Sequence, residues 1–352
     1  MMKSSENEKW IRVALDEGRK GIGLTAPNPP VGAVLVKDGI ELARGWHQKV
    51  GTPHAERNAL SKLREGEAKG ATAYVTLEPC STHGRTGACT EALISAGVAK
   101  VVYGARDPNP SHAGGADEIL SAVGIEVISG ILEDECEELI RGFAMVQMEG
   151  RPWVIAKTAM SLDGSITRPP GESQWLSGPL AREEVQQLRV EVDAILTSGE
   201  TVRRDDPALT LRGPQIPSNK IQPLRVVMTG QDLDREGLQL FEDKWKERTL
   251  VFKEQSKYDV LHNLASKHGV TTVLVEAGGS LLGSFLDDGL IDEWVIYLAP
   301  LVTGGPTVAV GGQGSETLED RLNLRKISIY QVGRDVCARG LVSRGELKPL
   351  DR

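Results

Sequence analysis

Cysteine, long apolar runs and basic charge are all scarce in this chain. Four cysteines in 352 residues are too few for a disulfide framework, which predicts a protein of the reducing cytoplasm. The sequence contains no run of about twenty apolar residues, so we expect no membrane span. Residues 1–9 are polar and lack the apolar core of a signal peptide. The net charge of −8 argues against a protein that grips nucleic-acid phosphates, for which a basic face is expected.

The length and the order of predicted elements indicate two domains. A chain of 352 residues has room for two cores, and Gly150-Arg151-Pro152 separates two stretches in which strand and helix patterns alternate. We therefore predict domains at 1–150 and 151–352, both of the α/β class. The patterns place helices at about 6–20, 55–69, 117–123 and 180–191, and a further helix beginning at Cys80.

The most informative stretch runs from His54 to Cys89. It contains Pro-His-Ala-Glu (53–56), a predicted strand (73–77), Glu-Pro-Cys (78–80) and a second cysteine at position 89. One imidazole and two thiolates can hold a zinc ion and leave a fourth position for water, whose pKa the metal lowers. Glu56 lies two residues after His54, where it can carry protons without being a ligand. This pattern is typical of the zinc deaminases.

Each part of this pattern has an ordinary explanation when taken alone. A His-x-Glu sequence occurs often by chance, and two cysteines nine residues apart can be small core residues or a disulfide. The order of the joint pattern favours a catalytic zinc site, with one zinc per chain. Cys136 and Cys337 lie in helix-like and strand-like runs and are most simply core residues.

A polar loop of eight residues separates the two cysteine ligands, where nucleoside and tRNA deaminases have two residues. It carries His83 and Arg85. Because Arg pairs with phosphate through a planar fork, the loop favours a substrate with an anionic group. A solvated surface loop is the alternative. In the second half, Gly278-Gly279-Ser280 follows a predicted strand and opens a helix, which is a weak signal for phosphate binding.

In its motifs the sequence resembles the bifunctional deaminase–reductase family of riboflavin biosynthesis over nearly its whole length. The first-half motifs are Thr-Ala-Pro-Asn-Pro-Pro-Val-Gly (25–32), Pro-His-Ala-Glu (53–56), Tyr-Val-Thr-Leu-Glu-Pro-Cys-Ser (74–81), His-Gly-Arg-Thr (83–86) and Asp-Pro-Asn-Pro (107–110). Those of the second half are Ser-Leu-Asp-Gly (161–164), Gly-Glu-Ser-Gln-Trp (171–175), Asp-Asp-Pro-Ala-Leu-Thr-Leu-Arg (205–212) and Val-Leu-Val-Glu (273–276). Any one of them is weak, but their order is specific.

The resemblance implies a fold and two consecutive reactions. It implies a cytidine-deaminase-like three-layer domain followed by a dihydrofolate-reductase-like domain. The first would deaminate 2,5-diamino-6-ribosylamino-4(3H)-pyrimidinone 5′-phosphate with zinc. The second would reduce the ribosyl group to a ribityl chain with NADPH. It also implies pyrimidine ribosyl phosphate substrates and a homo-oligomer, a dimer or larger. From the charge and the apolar runs of the sequence we expect no nucleic-acid or membrane partner.

The resemblance also assigns residues by position. It implies that His54, Cys80 and Cys89 bind zinc and that Glu56 is the catalytic proton carrier. Matches to deaminase substrate contacts are Asn28, Arg85, Asp107 and Asn109. Matches to NADPH contacts are Ala159, Trp175, Thr201, Asp205, Gly278, Gly279, Ser280, Leu281, Leu282, Gly283 and Ser284. Matches to reductase substrate contacts are Lys157, near the reacting centre, with Ser173, Arg189, Leu209, Arg212 and Glu276.

Three positions depart from the family pattern. Thr82 stands where the family usually has His, Gly114-Gly115-Ala116 replaces Gly-x-Gly, and Gly230 stands where a side chain would reach the cofactor. The alternatives are a paralogue that acts on a related pyrimidine, or a binding protein with degenerate sites. An RNA-editing deaminase is disfavoured by the acidic net charge.

Overall fold

The computed structural model describes residues 2–82, 87–109, 113–166, 175–317 and 321–344. The chain divides into two compact units, of which the first ends at Gly150 and the second begins at Arg151. No helix in the described ranges has both the length and the apolar character needed to cross a membrane.

The first unit alternates helices and strands after an opening helix and hairpin. Its elements are α1 (Met2–Arg19), β1 (Gly32–Lys37), β2 (Ile40–Trp46), α2 (Ala55–Leu60), β3 (Thr72–Leu77), α3 (Cys89–Ser95), β4 (Lys100–Ala105), α4 (Gly115–Ala122), β5 (Glu126–Ile128), α5 (Glu133–Leu139) and α6 (Arg141–Glu149). The strands form one sheet in the order β2-β1-β3-β4-β5, in which β3, β4 and β5 are parallel and β1 is antiparallel to both neighbours.

Helices cover both faces of this sheet, which makes three layers. Alternate strand residues point to opposite faces, so Ala33 and Leu35 pack on one side and Val34 and Val36 on the other. The first side is covered by α2, α3 and α4, and the second by α1 and α5. The continuous apolar strands of the sequence therefore reflect a sheet that is buried on both faces.

The second unit has a longer sheet and ends in an antiparallel hairpin. Its elements are β6 (Trp153–Ser161), α7 (Pro179–Glu191), β7 (Ala194–Ser198), α8 (Gly199–Asp205), β8 (Leu224–Thr229), α9 (Gln239–Glu242), a 3-10 turn (Lys246–Arg248), β9 (Thr249–Lys253), α10 (Lys257–His268), β10 (Thr272–Val275), α11 (Gly279–Asp287), β11 (Glu293–Ala299), β12 (Leu322–Val332) and β13 (Asp335–Arg344). The strand order is β12-β13-β11-β6-β10-β7-β8-β9.

Six of these strands, from β11 to β9 in that order, run parallel, so their carboxyl ends meet at one edge of the sheet. Helices α10 and α11 pack on one face through residues such as Leu264 and Phe285. Helices α7, α8 and α9 pack on the other, through Leu188, Val202 and Leu240. The α/β class predicted for both domains is confirmed.

Two helix predictions were wrong in detail. The helix predicted for 55–69 ends at Leu60. It does not resume before residue 69, where the chain passes through turns with Gly66 and Gly70 at φ angles of 83° and 78°. A left-handed backbone interrupts a helix, and glycine adopts it without a steric penalty. The helix predicted to begin at Cys80 begins instead at Cys89, after the loop between the two cysteines.

Candidate active sites

Three side chains of the first unit converge at two helix starts. His54 immediately precedes α2, Cys89 is the first residue of α3, and Cys80 follows β3. The Nδ1 atom of His54 lies 3.5 Å from the Sγ of Cys80 and 3.4 Å from the Sγ of Cys89. The loop between the cysteines is closed by the Cys89 N–H, which donates to the Cys80 carbonyl at 3.0 Å and lies 3.3 Å from its sulfur.

The donor set fits zinc. With Zn–S and Zn–N bonds of about 2.3 and 2.05 Å at a tetrahedral angle, the N···S distance is about 3.6 Å. The two observed N···S distances are close to this value, and all three ligand atoms lie within 4.8 Å of one another. Hydrogen bonding by Cys89, with a smaller contribution from His54, lowers the pKa of Cys80 to about 4 despite burial. A lowered pKa favours the thiolate, the form in which cysteine binds metals.

Glu56 lies in the first turn of α2, beside these ligands. Its carboxyl group is buried, and burial is the main reason why its pKa is raised, with the negative charge of Cys80 adding to the effect. A hydrogen bond with Cys89 acts in the opposite direction. A carboxyl group with a raised pKa gains and loses protons closer to neutral pH, as general acid–base chemistry requires.

Asn28 contacts His47, a residue beside His54 that no sequence motif identified. Its Nδ2 lies 3.0 Å from the Nε2 of His47, whose Nδ1 lies 3.2 Å from the Pro53 carbonyl oxygen. The His47 ring also meets the His54 ring edge to face, with centroids 5.4 Å apart. His47 is buried, and burial lowers its pKa. No motif identified it, because its place beside His54 depends on the β2 hairpin.

Two of the other predicted substrate contacts of the first unit lie on the loop after β4. Asp107 and Asn109 follow β4, and the Asn109 N–H donates to the Asp107 carboxylate at 2.9 Å. Arg85 and His83 lie outside the described residues, and Thr82 is exposed. Arg57 donates to the carbonyl oxygens of Gly87 and Ala88 at 3.0 and 2.9 Å and so holds the chain just before Cys89.

In the second unit, the structure brings Lys157, Arg189 and Glu276 together. The Arg189 guanidinium donates to both carboxylate oxygens of Glu276, at 2.6 and 3.1 Å, and the Lys157 Nζ lies 3.1 Å from the same carboxylate. All three are largely buried. Burial alone would raise the pKa of Glu276, but the charges of Arg189 and Lys157 lower it to about 2. Lys157 lies on β6 and Glu276 directly after β10, which are parallel neighbours.

Two more predicted substrate contacts lie in the segment 207–212, one of them buried and the other exposed. Leu209 is 4% exposed, packs in the core and has a φ of 46°, an uncommon value for a residue other than glycine. Arg212 is exposed, and its Nε donates to the Thr210 hydroxyl at 3.3 Å. The Thr210 carbonyl accepts from Arg189 at 3.2 Å, which ties this segment to the ionic cluster. Ser173 lies outside the described residues.

The predicted cofactor residues outside α11 occupy several elements near the carboxyl edge. Ala159 lies on β6 beside Tyr297, and Thr201 lies in the first turn of α8, where its N–H donates to Ser198 Oγ at 3.0 Å. Asp205 ends α8. Trp175 is 59% exposed, and the Arg182 guanidinium lies 5.5 Å from its ring centroid.

Some positions around α11 require glycine for packing, and others do not. A Cβ atom on Gly279 would lie 2.3 Å from the Val308 carbonyl oxygen, and one on Gly283 would lie 2.2 Å from the Gly311 backbone. These two positions require glycine because another segment crosses the helix there. Gly278 faces open space, as does Gly230. Of the remaining predicted contacts in this helix, Ser280 is exposed, Leu281 and Ser284 are partly buried, and Leu282 is buried in the core.

The two halves of the chain match two known families. Residues 4–105 match the cytidine and deoxycytidylate deaminase zinc-binding region, and residues 152–338 match the RibD C-terminal domain. The riboflavin biosynthesis protein RibD of Escherichia coli (strain K12) is 41% identical over 361 residues, covering 94% of this chain and 98% of the relative. That of Haemophilus influenzae is 40% identical over 327 residues, covering 86% and 88%.

Solved structures match along the same length. Acinetobacter baumannii RibD, form 1, has a TM-score of 0.89 at 35% identity, covering 97% of this chain and all of that one. A diaminohydroxyphosphoribosylaminopyrimidine deaminase/5-amino-6-(5-phosphoribosylamino)uracil reductase from Thermotoga maritima has a TM-score of 0.84 at 32% identity, with the same coverage.

Proposed function

Because this chain belongs to the RibD family, the bifunctional deaminase–reductases of riboflavin biosynthesis, we propose that its two units act in succession on one pyrimidine ribosyl phosphate. The first unit, residues 1–150, replaces an amino group of 2,5-diamino-6-ribosylamino-4(3H)-pyrimidinone 5′-phosphate by oxygen. The second, residues 151–352, reduces the ribosyl group with NADPH and yields 5-amino-6-ribitylaminouracil 5′-phosphate. The observation that carries the proposal is the cluster of His54, Cys80 and Cys89 beside the buried Glu56.

In the deamination, His54, Cys80 and Cys89 would hold zinc, which when bound would supply a Lewis acid and an acidified water molecule. Glu56 would accept a proton and deliver it to the departing amine, a role that its burial and position near the ligands support. Asn28, Asp107 and Asn109, together with Arg85, bind the substrate. His47 holds the Asn28 amide and so orients one of these contacts.

In the reduction, Lys157 donates a proton as the ribose ring opens, and NADPH when bound supplies the hydride. The Glu276 carboxylate holds the Lys157 ammonium in place, while Arg189 holds the same carboxylate from the other side. Ser173, Leu209 and the exposed Arg212 complete the substrate contacts, with Arg212 suited to the phosphate.

NADPH would lie along the carboxyl edge of the parallel strands, the usual ligand position in open α/β sheets. The first-turn N–H groups of α11 have no intrahelical partner and can face a phosphate. The open space at Gly278 allows a close approach there. Ala159, Trp175, Thr201, Asp205 and the run Gly278–Ser284 supply the contacts. Leu282 is buried, and Gly279 and Gly283 pack on another segment. Ser280 is the exposed member of the run, and Gly278 has open space where a Cβ would stand.

A product analysis tests this proposal. The purified chain is incubated with the diaminopyrimidinone phosphate, with and without NADPH, and with related pyrimidines that have no phosphate. We expect the deaminated compound without NADPH and the ribityl compound with it, both identified by mass. Turnover of the related pyrimidines alone would contradict the proposed substrate. No turnover at all by zinc-loaded protein would contradict the proposed activity.

We also infer that the chain forms a homo-oligomer through β12, which lies at one edge of its sheet. Ile327, Ile329 and Tyr330 on this strand are 54%, 69% and 39% exposed. An open edge with apolar side chains can pair with the same strand of a second copy. Ile329→Asp should therefore shift the assembly to monomer in size-exclusion chromatography with light scattering. Ile221→Asp is a matched control, since Ile221 is 68% exposed and lies away from β12.

We place the protein in the cytoplasm. All four cysteines are free, and Cys80 and Cys89 must remain reduced thiols to bind zinc. Expression of a tagged chain followed by cell fractionation tests this, and recovery from a secreted fraction would contradict it.

A further inference from the structure

Glu78 is a buried carboxylate of the first unit that has no part in the roles assigned above. It directly follows β3 and lies two residues before Cys80. Its Oε2 accepts the Asp107 N–H at 3.3 Å, and its Oε1 accepts the Ala116 N–H at 3.2 Å. The residue is 4% exposed. The hydrogen bond from Ala116 is buried and the one from Asp107 is partly buried.

The two donors stand at opposite ends of one segment, of which the structure describes residues 107–109 and 113–116. Ala116 is the second residue of α4, where the first backbone N–H groups lack intrahelical acceptors. Gly114, the residue that precedes the helix, has no side chain with which to accept these hydrogen bonds. The Glu78 carboxylate therefore caps α4 from a neighbouring strand, and its negative charge suits the positive end of the helix.

Further hydrogen bonds hold the backbone next to Asp107, the residue whose N–H binds Glu78. The Asp107 carboxylate accepts the Asn109 N–H at 2.9 Å, and the Asn109 carbonyl accepts the Ala113 N–H at 3.1 Å. One carboxylate thus holds both ends of the backbone that carries Asp107 and Asn109. Asp117, the next residue of α4, binds the side chains of Tyr103 and Arg106 instead and does not hold these two N–H groups.

We propose that Glu78 is a positioning residue of the deaminase, which keeps residues 107–109 and the start of α4 in the arrangement that presents Asp107 and Asn109 to the substrate. The inference rests on the proposed function, which assigns these two residues to the deaminase substrate. When a binding segment populates several arrangements, the apparent affinity falls in proportion to the competent fraction. Glu78 would raise that fraction without touching the substrate.

The test compares Glu78→Gln with Asp117→Asn in the full chain. Glutamine can accept one of the two N–H groups but turns its own NH₂ toward the other, so one end of the segment is released. We expect the deaminase KM of Glu78→Gln to rise about tenfold, because the competent fraction falls, while kcat changes less than about threefold. Zinc content and reductase activity should equal those of the wild type. Asp117→Asn removes the same charge near the same helix end and should leave KM within about twofold.

A double variant separates positioning from general destabilisation. If Glu78 acts through the segment, both changes weaken the same contact between Asn109 and the substrate. The KM of the double variant Glu78→Gln with Asn109→Ala should therefore be little higher than that of the more impaired single variant. Additive effects, an unchanged KM in Glu78→Gln, or loss of zinc from it would each overturn the proposal.

If Glu78→Gln does not fold, Glu78→Asp takes its place, because it keeps the charge but is too short for both donors. Failure of both variants to fold would make Glu78 a purely structural residue and would also overturn the proposal. A wild-type protein without deaminase activity, or an unchanged KM in Asn109→Ala, would instead contradict the proposed function.

Discussion

At the scale of single residues, two buried carboxylates in the two units have opposite environments. Glu56 has a raised pKa because burial outweighs the positive charge of His54. Glu276 is also buried, but Arg189 and Lys157 lower its pKa to about 2. The first environment favours a group that exchanges protons, and the second favours a permanent negative charge that holds two cations. The same side chain thus suits two different tasks.

Glu56→Gln should abolish deamination while the metal site persists. Glutamine keeps the shape but cannot carry the proton, and the loss typical of such a group is about 10²–10⁴-fold in rate. Metal analysis should find zinc at the wild-type level, because Glu56 is not a ligand. Reduction of the pre-deaminated substrate is the internal control, and its loss would mean that the change had damaged the fold.

Glu276 should make part of the stability of the second unit depend on pH. Because its folded-state pKa is about 2, below the ordinary value, its contribution is present above that ordinary value and is lost as pH falls toward about 2. The contribution is at most about 3 kcal/mol. The gap in unfolding free energy between wild type and Glu276→Gln should therefore narrow between about pH 5 and pH 3. A gap that stays constant over this range in denaturant titrations would contradict the ion cluster.

At the scale of elements, α11 shows how the glycines of one helix differ in their surroundings. Its buried face places Leu282 and Phe285 in the core, while Gly279 and Gly283 let the segment 308–312 cross closely. The Gly311 N–H donates to the Gly279 carbonyl oxygen at 2.9 Å and fixes this crossing. Of these three glycines, only Gly278, immediately before the helix, has open space where a Cβ would stand.

Gly283→Ala should destabilise the second unit, whereas Gly278→Ala should not. The new Cβ at position 283 would lie 2.2 Å from backbone that cannot move aside easily, and overpacking of this kind costs about 1–3 kcal/mol. Gly278 has a φ of −70°, which alanine adopts readily, so we expect a change within about 0.5 kcal/mol. The measurement is the denaturant transition that accompanies loss of reductase activity. Equal stability of the two variants would contradict the close crossing at α11.

At the scale of the whole molecule, each unit has its own hydrophobic core. The four buried clusters of the described residues each draw on one unit only, two on the first unit and two on the second. Each unit also falls within the usual size range of an independent domain. Within each unit, the described members of the proposed site come from loops, strands and helices that pack on this core.

The two activities should therefore survive separation. Residues 1–150 expressed alone should bind zinc and deaminate the substrate, and residues 151–352 should reduce the deaminated product, each at a rate within about tenfold of the full chain. Separate assays with mass analysis of products measure this. If the first half is folded and zinc-loaded but does not deaminate, the deaminase site needs the second unit.

The sequence alone was enough to predict the fold class and the residues of the proposed zinc site. Strand and helix periodicities and the zinc-ligand spacing are local patterns, so they predicted the α/β class and the residues His54, Glu56, Cys80 and Cys89. Tertiary packing decided which distant residues meet. Glu78 accepts from a residue 38 positions away, His47 reaches Asn28 across 19, and Gly283 meets the backbone of Gly311. Such pairs leave no periodic signal, because their distance depends on how whole strands and helices pack.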